Sequence, residues 1–167
     1  MKIIKAKFPN EVNPRDVLID DDDYERVNQY HWHYQGMGDS GTTRIITIIN
    51  KTIYNLPNFI LELQSDIIID HKDRNRLNNQ KENLRPCTKI QNGANRGLNA
   101  NNKSGYKGVS WNKRDNCYQV MIKNYGKKIY ITNTKDPIVA AKAYDTKAIE
   151  LFGEFANLNF PDSLNSQ

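Results

Sequence analysis

Ile67-Ile68-Ile69-Asp70-His71-Lys72-Asp73-Arg74-Asn75, followed by Asn83-Leu84-Arg85-Pro86 and then by Thr88 through Arg96, is the stretch that decides the architecture of this chain. Three consecutive isoleucines predict a short buried strand that delivers Asp70 and His71 to its end. Arg74-Asn75-Arg76-Leu77-Asn78-Asn79 reads as an amide-rich loop. Asn83-Leu84-Arg85 resumes as an extended segment, and Pro86 keeps its predecessor out of the helical region. Thr88 can then cap a helix through Lys89-Ile90-Gln91-Asn92-Gly93-Ala94-Asn95-Arg96. Gly93 weakens that helix by about 1 kcal/mol relative to Ala, so other contacts must help hold it.

On the N-terminal side, residues 1–66 alternate short β-like runs with turns: Val17-Leu18-Ile19, Arg44 to Ile49, and Thr52-Ile53-Tyr54. Asp20-Asp21-Asp22-Asp23 before Tyr24-Glu25-Arg26-Val27 reads as a solvated turn and helix cap. His31 and His33 flank Trp32, and the expected role is a strand packed through Trp32 rather than a metal site, because no third ligand is nearby. On the C-terminal side, Gly97 to Ser104 is polar, Gly- and Asn-rich, and reads as a linker. Beyond it, Tyr106 to Trp111, Cys117 to Lys123 and Lys128 to Thr132 read as three strands, with Asn124-Tyr125-Gly126 as a turn. Asp136-Pro137 opens a helix with Ile138, Ala141, Ala148 and Leu151 on one face, and Gly153 ends it. The class is α+β, with a β-rich N-terminal region and a three-stranded antiparallel sheet packed on one helix.

The charge is distributed unevenly. Residues 1–66 carry 7 Lys and Arg against 10 Asp and Glu, a balance of −3, whereas residues 71–135 carry 15 against 3, a balance of +12. So concentrated a basic stretch favours a polyanion, because each phosphate contact releases condensed counterions. Cys87 and Cys117 stand thirty residues apart with no CxxC, which argues against a zinc ribbon and a disulfide framework. No apolar run approaches the roughly 18 residues of a membrane span, and the charged start is unlike a signal peptide. A cytoplasmic protein without a membrane partner is expected.

The pattern Asp70-His71-Lys72-Asp73-Arg74-Asn75, Asn78-Asn79, Asn83-Leu84-Arg85 and Asn92 resembles the HNH endonuclease family, in particular its phage homing branch. The resemblance implies a ββα-metal finger over 67–96 within an HNH domain of residues 1–96. It implies Asp70 and Asn92 as oxygen ligands of Mg²⁺ or Mn²⁺, ions that prefer hard oxygen donors. His71 is implied as the base that takes a proton from the attacking water. Asn83 matches the family's middle residue, which braces the loop and orients the His. The family often carries His-Arg in the preceding segment, where this chain has Pro57-Asn58, which puts a phosphate or structural contact in doubt.

After the linker at 97–104, residues 105–161 resemble the Apetala-two/ethylene-response-factor DNA-binding domain. The likeness rests on Tyr106-Lys107-Gly108-Val109, on Ala141-Lys142-Ala143-Tyr144-Asp145 and on Asn157-Leu158-Asn159-Phe160-Pro161. It implies a sheet laid in the major groove of double-stranded DNA. Lys107, Ser110, Asn112, Arg114, Gln119, Met121, Lys123, Lys128 and Tyr130 are the implied DNA-facing residues. Val109, Val120, Ile122, Ile129 and Ile131 would face the helix. Ser110 and Asn112 stand where the plant pattern has arginines, so a different base preference is expected. One finger has one nucleophile position, so a monomer or weak dimer that nicks one strand is expected. A non-catalytic DNA-binding regulator and a restriction or defence nuclease are the competing readings.

Overall fold

In the computed structural model, which describes residues 1–7, 13–37 and 42–161, the chain divides into two compact units, Met1–Cys87 and Thr88–Gln167. The first unit is built around a five-stranded sheet in the order β2-β1-β3-β4-β5. Its strands are β1 (Lys2–Lys7), β2 (Arg15–Ile19), β3 (Trp32–Met37), β4 (Thr42–Ile49) and β5 (Thr52–Asn55). The pairs are antiparallel except β1 with β3, where Ala6 lies opposite Trp32 in parallel. Alternation makes β1 a strand despite its three lysines: Ile4 and Ala6 turn inward while Lys5 and Lys7 stay exposed. The short helices α1 (Tyr24–Asn28) and α2 (Leu56–Ile60) close the core formed by Ile4, Val17, Ile19, Val27, Trp32, Leu56 and Ile60. Each such aliphatic side chain, fully buried, contributes roughly 1.5–3 kcal/mol.

Trp32 packs as its sequence context implied. It is 3% exposed, its Nε1 donates to Val27 O at 2.9 Å, and its ring meets Phe59 edge-on at 5.4 Å. His31 lies outside β3 and is exposed.

The first unit also contains a two-stranded hairpin, β6 (Ile68–His71) with β7 (Leu84–Cys87). The isoleucine run is not a buried strand, since Ile67 and Ile68 are 39% and 38% exposed while Asp70 is 4% exposed. A two-stranded ladder has no third strand to cover its apolar side chains. The group it buries is a carboxylate, and that carboxylate is paired with Arg85.

In the second unit β8 (Val109–Asn112), β9 (Cys117–Asn124) and β10 (Lys127–Thr134) form an antiparallel sheet in the order β10-β9-β8. Helix α4 (Pro137–Phe152) packs Ala140, Ala141, Tyr144, Ala148 and Phe152 against Val109, Val120 and Ile122. Ile129 and Ile131 sit partly buried at the same core. Ile138, expected on this face, is 47% exposed. The buried stripe runs through small Ala140 and Ala141 instead, which lets the helix approach the sheet. Asp136 caps α4 by accepting from the amides of Ile138 and Val139 at 2.8 and 3.3 Å.

The strand expected from Tyr106 begins only at Val109. Gly108 has φ +75°, and a Cβ there would lie 2.0 Å from Tyr144 Cδ2 and 2.9 Å from Met121 O. Only glycine admits both that backbone conformation and that ring. The C-terminal tail secures the same turn. Asn159 Oδ1 accepts from Lys107 N at 2.7 Å, and its Nδ2 donates to Lys107 O at 3.2 Å. Buried Asp145 in turn accepts from Asn159 N, Asn159 Nδ2 and Phe160 N at 2.8, 3.0 and 2.9 Å. The separated Tyr106-Lys107-Gly108, Tyr144-Asp145 and Asn159-Phe160 motifs are thus one hydrogen-bonded knot.

Helix α3 (Lys89–Ala94) falls in the second compact unit, which begins at Thr88. Ala94 is buried in the second core with Ile90 against it, and Asn157 donates to Ala94 O and Arg96 O. The stretch read as a linker is partly built into this unit as well. Asn102 Nδ2 donates to Tyr106 O at 2.9 Å, and Ser104 Oγ donates to Val109 O at 2.8 Å.

Candidate active site

Asp70 and His71 occupy the last two positions of β6, opposite Arg85 and Leu84 of β7. Nε and Nη2 of Arg85 both donate to Asp70 Oδ2, at 2.9 and 2.8 Å. A carboxylate this buried must be paired, and the charge-assisted guanidinium contact orients it. The next side chain, His71, is half-buried, and its Nε2 lies 3.2 Å from Asn79 Oδ1. Burial pulls the His71 pKa below its ordinary value, outweighing the Asn79 bond and the nearby Asp73 and Asp70 carboxylates, which favour the cation. A neutral imidazole is the form that can accept a proton.

The loop between the strands is held by its own amides. Asn83, 6% exposed, accepts from Asp73 N at 3.0 Å and donates to Asp73 Oδ1 at 2.9 Å and Asn78 O at 2.7 Å. Asp73 also receives Asn78 Nδ2 at 2.8 Å and Asn75 N at 2.8 Å. Burial acts to raise the Asp73 pKa, but the bonds from Asn78, Asn75 and Asn83 prevail and hold it below the ordinary carboxylate value. Arg74 takes φ +65° in the tight turn that results. Asn83 is therefore a loop brace, and the side chain facing the imidazole is Asn79.

The sheet of the first unit grips this loop at two places. Leu18 N donates to Leu77 O at 2.7 Å and Asn79 N donates to Leu18 O at 2.8 Å. Asp20 accepts from Lys81 N at 2.7 Å and Gln80 Nε2 at 3.2 Å. Asp23, 2% exposed, pairs with Lys81 Nζ at 2.9 Å and with Arg26 Nη2 at 2.7 Å. The aspartate run is thus not simply a solvated cap: Asp20 makes no side-chain capping bond and is spent on the loop. Its sequence gave no sign of this, because the partner lies sixty residues away. At the Pro57-Asn58 departure, Asn58 is 5% exposed and donates to Gln64 O and Ile67 O at 2.7 and 2.9 Å. It braces the chain entering β6.

Asp70, His71 and Asn83 therefore share one hairpin, while Asn92 lies on α3 in the second unit and is exposed. Thr88 and Gln91 close a reciprocal capping box on that helix. Asp70 offers hard oxygen donors, the chemistry a magnesium-sized ion prefers. Among the described residues no three of His, Cys, Asp and Glu gather into a metal cluster.

In the second unit the register places Ser110, Gln119, Met121, Lys123, Lys128 and Tyr130 on the sheet face away from α4. Lys123, Lys128 and Tyr130 are exposed, and Lys123 lies opposite Lys128. The β10 register shifts between Tyr130 and Thr132, which brings Asn133 opposite Gln119 on that face. Lys107 is placed differently: its Nζ donates to Ala94 O. Arg114 is already engaged, with Nε 2.8 Å from Asp115 Oδ1, and Asn112 Nδ2 donates to Asp115 Oδ2 at 2.8 Å.

A family model described as HNH endonuclease matches residues 62–94, which span β6, the loop, β7 and α3. A protein of Acanthamoeba polyphaga mimivirus, named as an uncharacterized HNH endonuclease, is 35% identical over 144 residues, covering 83% of this chain and 71% of its own length. Protein 3.8 of Escherichia phage T7 is 35% identical over 88 residues, covering 53% of this chain and 72% of its own. The mimivirus match is too long to be confined to either unit. No solved structure matches.

Proposed function

We propose, from the premise that this chain belongs to the HNH endonuclease family, that it is a Mg²⁺- or Mn²⁺-dependent homing-type endonuclease that nicks double-stranded DNA as a monomer. The observation that carries the reading is a half-buried His71 held by Asn79 beside the ordered carboxylate of Asp70. In this reading His71 takes a proton from a water as its oxygen attacks the scissile phosphorus. The P–O3′ bond breaks and the leaving 3′ oxygen takes a proton from solvent, giving a 5′-phosphate and a 3′-hydroxyl. Asn83 and Asp73 keep the loop from shifting as the imidazole becomes charged. Asp70, and Asn92 by the family pattern, would hold the ion. When bound, the ion supplies positive charge to the phosphate and the leaving oxygen.

Residues 1–96 are assigned to the nuclease and 105–161 to an Apetala-two/ethylene-response-factor-like reading module. The outward row of Gln119, Met121, Lys123, Lys128 and Tyr130 supports that module as the DNA-facing sheet. Supercoiled plasmid incubated with and without Mg²⁺ or Mn²⁺ tests the activity. Metal-dependent conversion to nicked circles is expected, with His71→Ala abolishing it and leaving DNA affinity nearly intact. Plasmid unchanged by the wild-type chain under every metal condition would favour a non-catalytic DNA-binding regulator.

A further inference from the structure

We infer that Asn79 is a positioning residue for His71, fixing the ring and determining which of its nitrogens carries the hydrogen. The inference rests on the nuclease reading and deepens it. Asn79 is 0% exposed although it lies in a polar loop. Its Nδ2 donates to Arg76 O at 3.0 Å, which fixes the orientation of the amide and turns Oδ1 toward His71 Nε2 at 3.2 Å. An amide oxygen can only accept, so Nε2 carries the hydrogen. In the neutral ring the electron pair then resides on Nδ1. As the ring becomes cationic the Nε2–H···Oδ1 bond strengthens, so the same amide also stabilises the product of proton transfer.

The amide is itself held from outside the loop. Asn79 N donates to Leu18 O at 2.8 Å, next to the Leu18–Leu77 bond of 2.7 Å. Asp20 holds the following residues, Gln80 and Lys81. A continuous path of hydrogen bonds therefore runs from β2 through Asn79 to the imidazole. Asn83 cannot serve this purpose, because its side-chain amide is committed to Asp73 and to Asn78 O. The two buried asparagines divide the work: Asn83 shapes the loop, and Asn79 sets the ring.

The test uses the full chain labelled with ¹⁵N and read by long-range ¹H–¹⁵N correlation of its imidazoles, without metal, at a pH where they are neutral. Wild-type His71 is expected as the Nε2–H tautomer. Asn79→Ala should give a mixture of tautomers and lower kcat about 10–100-fold, the usual effect of losing an outer partner of a site residue. KM should stay within roughly twofold, because substrate binding is not what the amide controls. Asn79→Asp keeps an acceptor and should restore both the tautomer and most of kcat. A purely structural asparagine predicts the reverse, since a buried carboxylate facing the Arg76 carbonyl would be worse than alanine. An Nδ1–H tautomer in the wild type, or an Asn79→Ala variant with unchanged tautomer and kcat, overturns the inference. Should Asn79→Ala not fold, the wild-type spectrum and Asn79→Asp decide it. A wild-type chain that cleaves nothing would remove the nuclease reading, and the spectra would still judge the hold of Asn79 on the ring.

Discussion

The β6–β7 hairpin and the β8–β10 sheet are both small, yet opposite means hold them. The hairpin and its loop are organised by buried polar side chains: Asp70 on Arg85, Asn83 on Asp73, and Asn79 on Arg76 O and His71. The sheet of the second unit is organised by fit, with Ala140, Ala141 and Ala148 admitting α4 close to Val120 and Ile122, and Tyr144 filling the space over Gly108. A polar-held site loses stability when one partner is deleted, because the other remains buried and unsatisfied. A fitted one tolerates lost polar groups but not added volume.

The largest effect should come from Arg85→Ala, which strands a buried carboxylate and is expected to cost about 3–5 kcal/mol by urea denaturation. A cost below about 1 kcal/mol would dissolve the contrast. Next, Gly108→Ala drives a methyl group into the Tyr144 ring at a left-handed backbone position, for an expected loss of about 2–4 kcal/mol. Amide spectra should place that damage in residues 88–161 and spare the hairpin. Asn159→Ala removes the link between Asp145 and the Lys107 backbone and should cost about 1–3 kcal/mol. A loss comparable to Arg85→Ala would show that the second unit also depends on polar order.

Titration gives a smaller, directional test. Burial first, and then the Asp145 charge, push the Tyr144 pKa up to about 12 from an ordinary 10.0. The folded state therefore prefers neutral Tyr144. Its contribution is complete below pH 10 and is lost as the pH rises toward 12. Melts between pH 9 and 11.5 should fall more steeply for the wild type than for Tyr144→Phe, and parallel curves would remove Tyr144 as the cause. The smallest change is in Lys123→Ala, which should leave stability untouched and lower the salt dependence of DNA binding by about one unit. An unchanged slope would take Lys123 out of the interface.

What the sequence disclosed depended on how local the physics is. Residues Cys117–Lys123 alternate cleanly, and β9 runs Cys117–Asn124. Thr88 reads as a cap and makes a capping box. Asp70, His71 and Asn83 stand out by spacing, and one hairpin brings them together. Asn79, by contrast, is one asparagine in a run of them, and nothing local marks it as the buried one. Its burial follows from pairing with Leu18, and the Asp20 contact likewise joins residues far apart in the chain. Strand β1 shows a period of two, Ile4 and Ala6 inward, which its three lysines in six residues mask as a charged run. Helix α3 lies within the stretch that the family model matches together with the hairpin, and its Ile90 and Ala94 belong to the core that follows.

The bridge between Leu18 and Asn78 has a temporal consequence. Closing so long a stretch of chain costs entropy before any contact compensates it, so this loop should order only after the N-terminal strands have paired. A growing polypeptide would thus complete its template strand well before the histidine is synthesised. Competence for hydrolysis would arrive as a late event of maturation, set by the first twenty residues rather than by the motif itself.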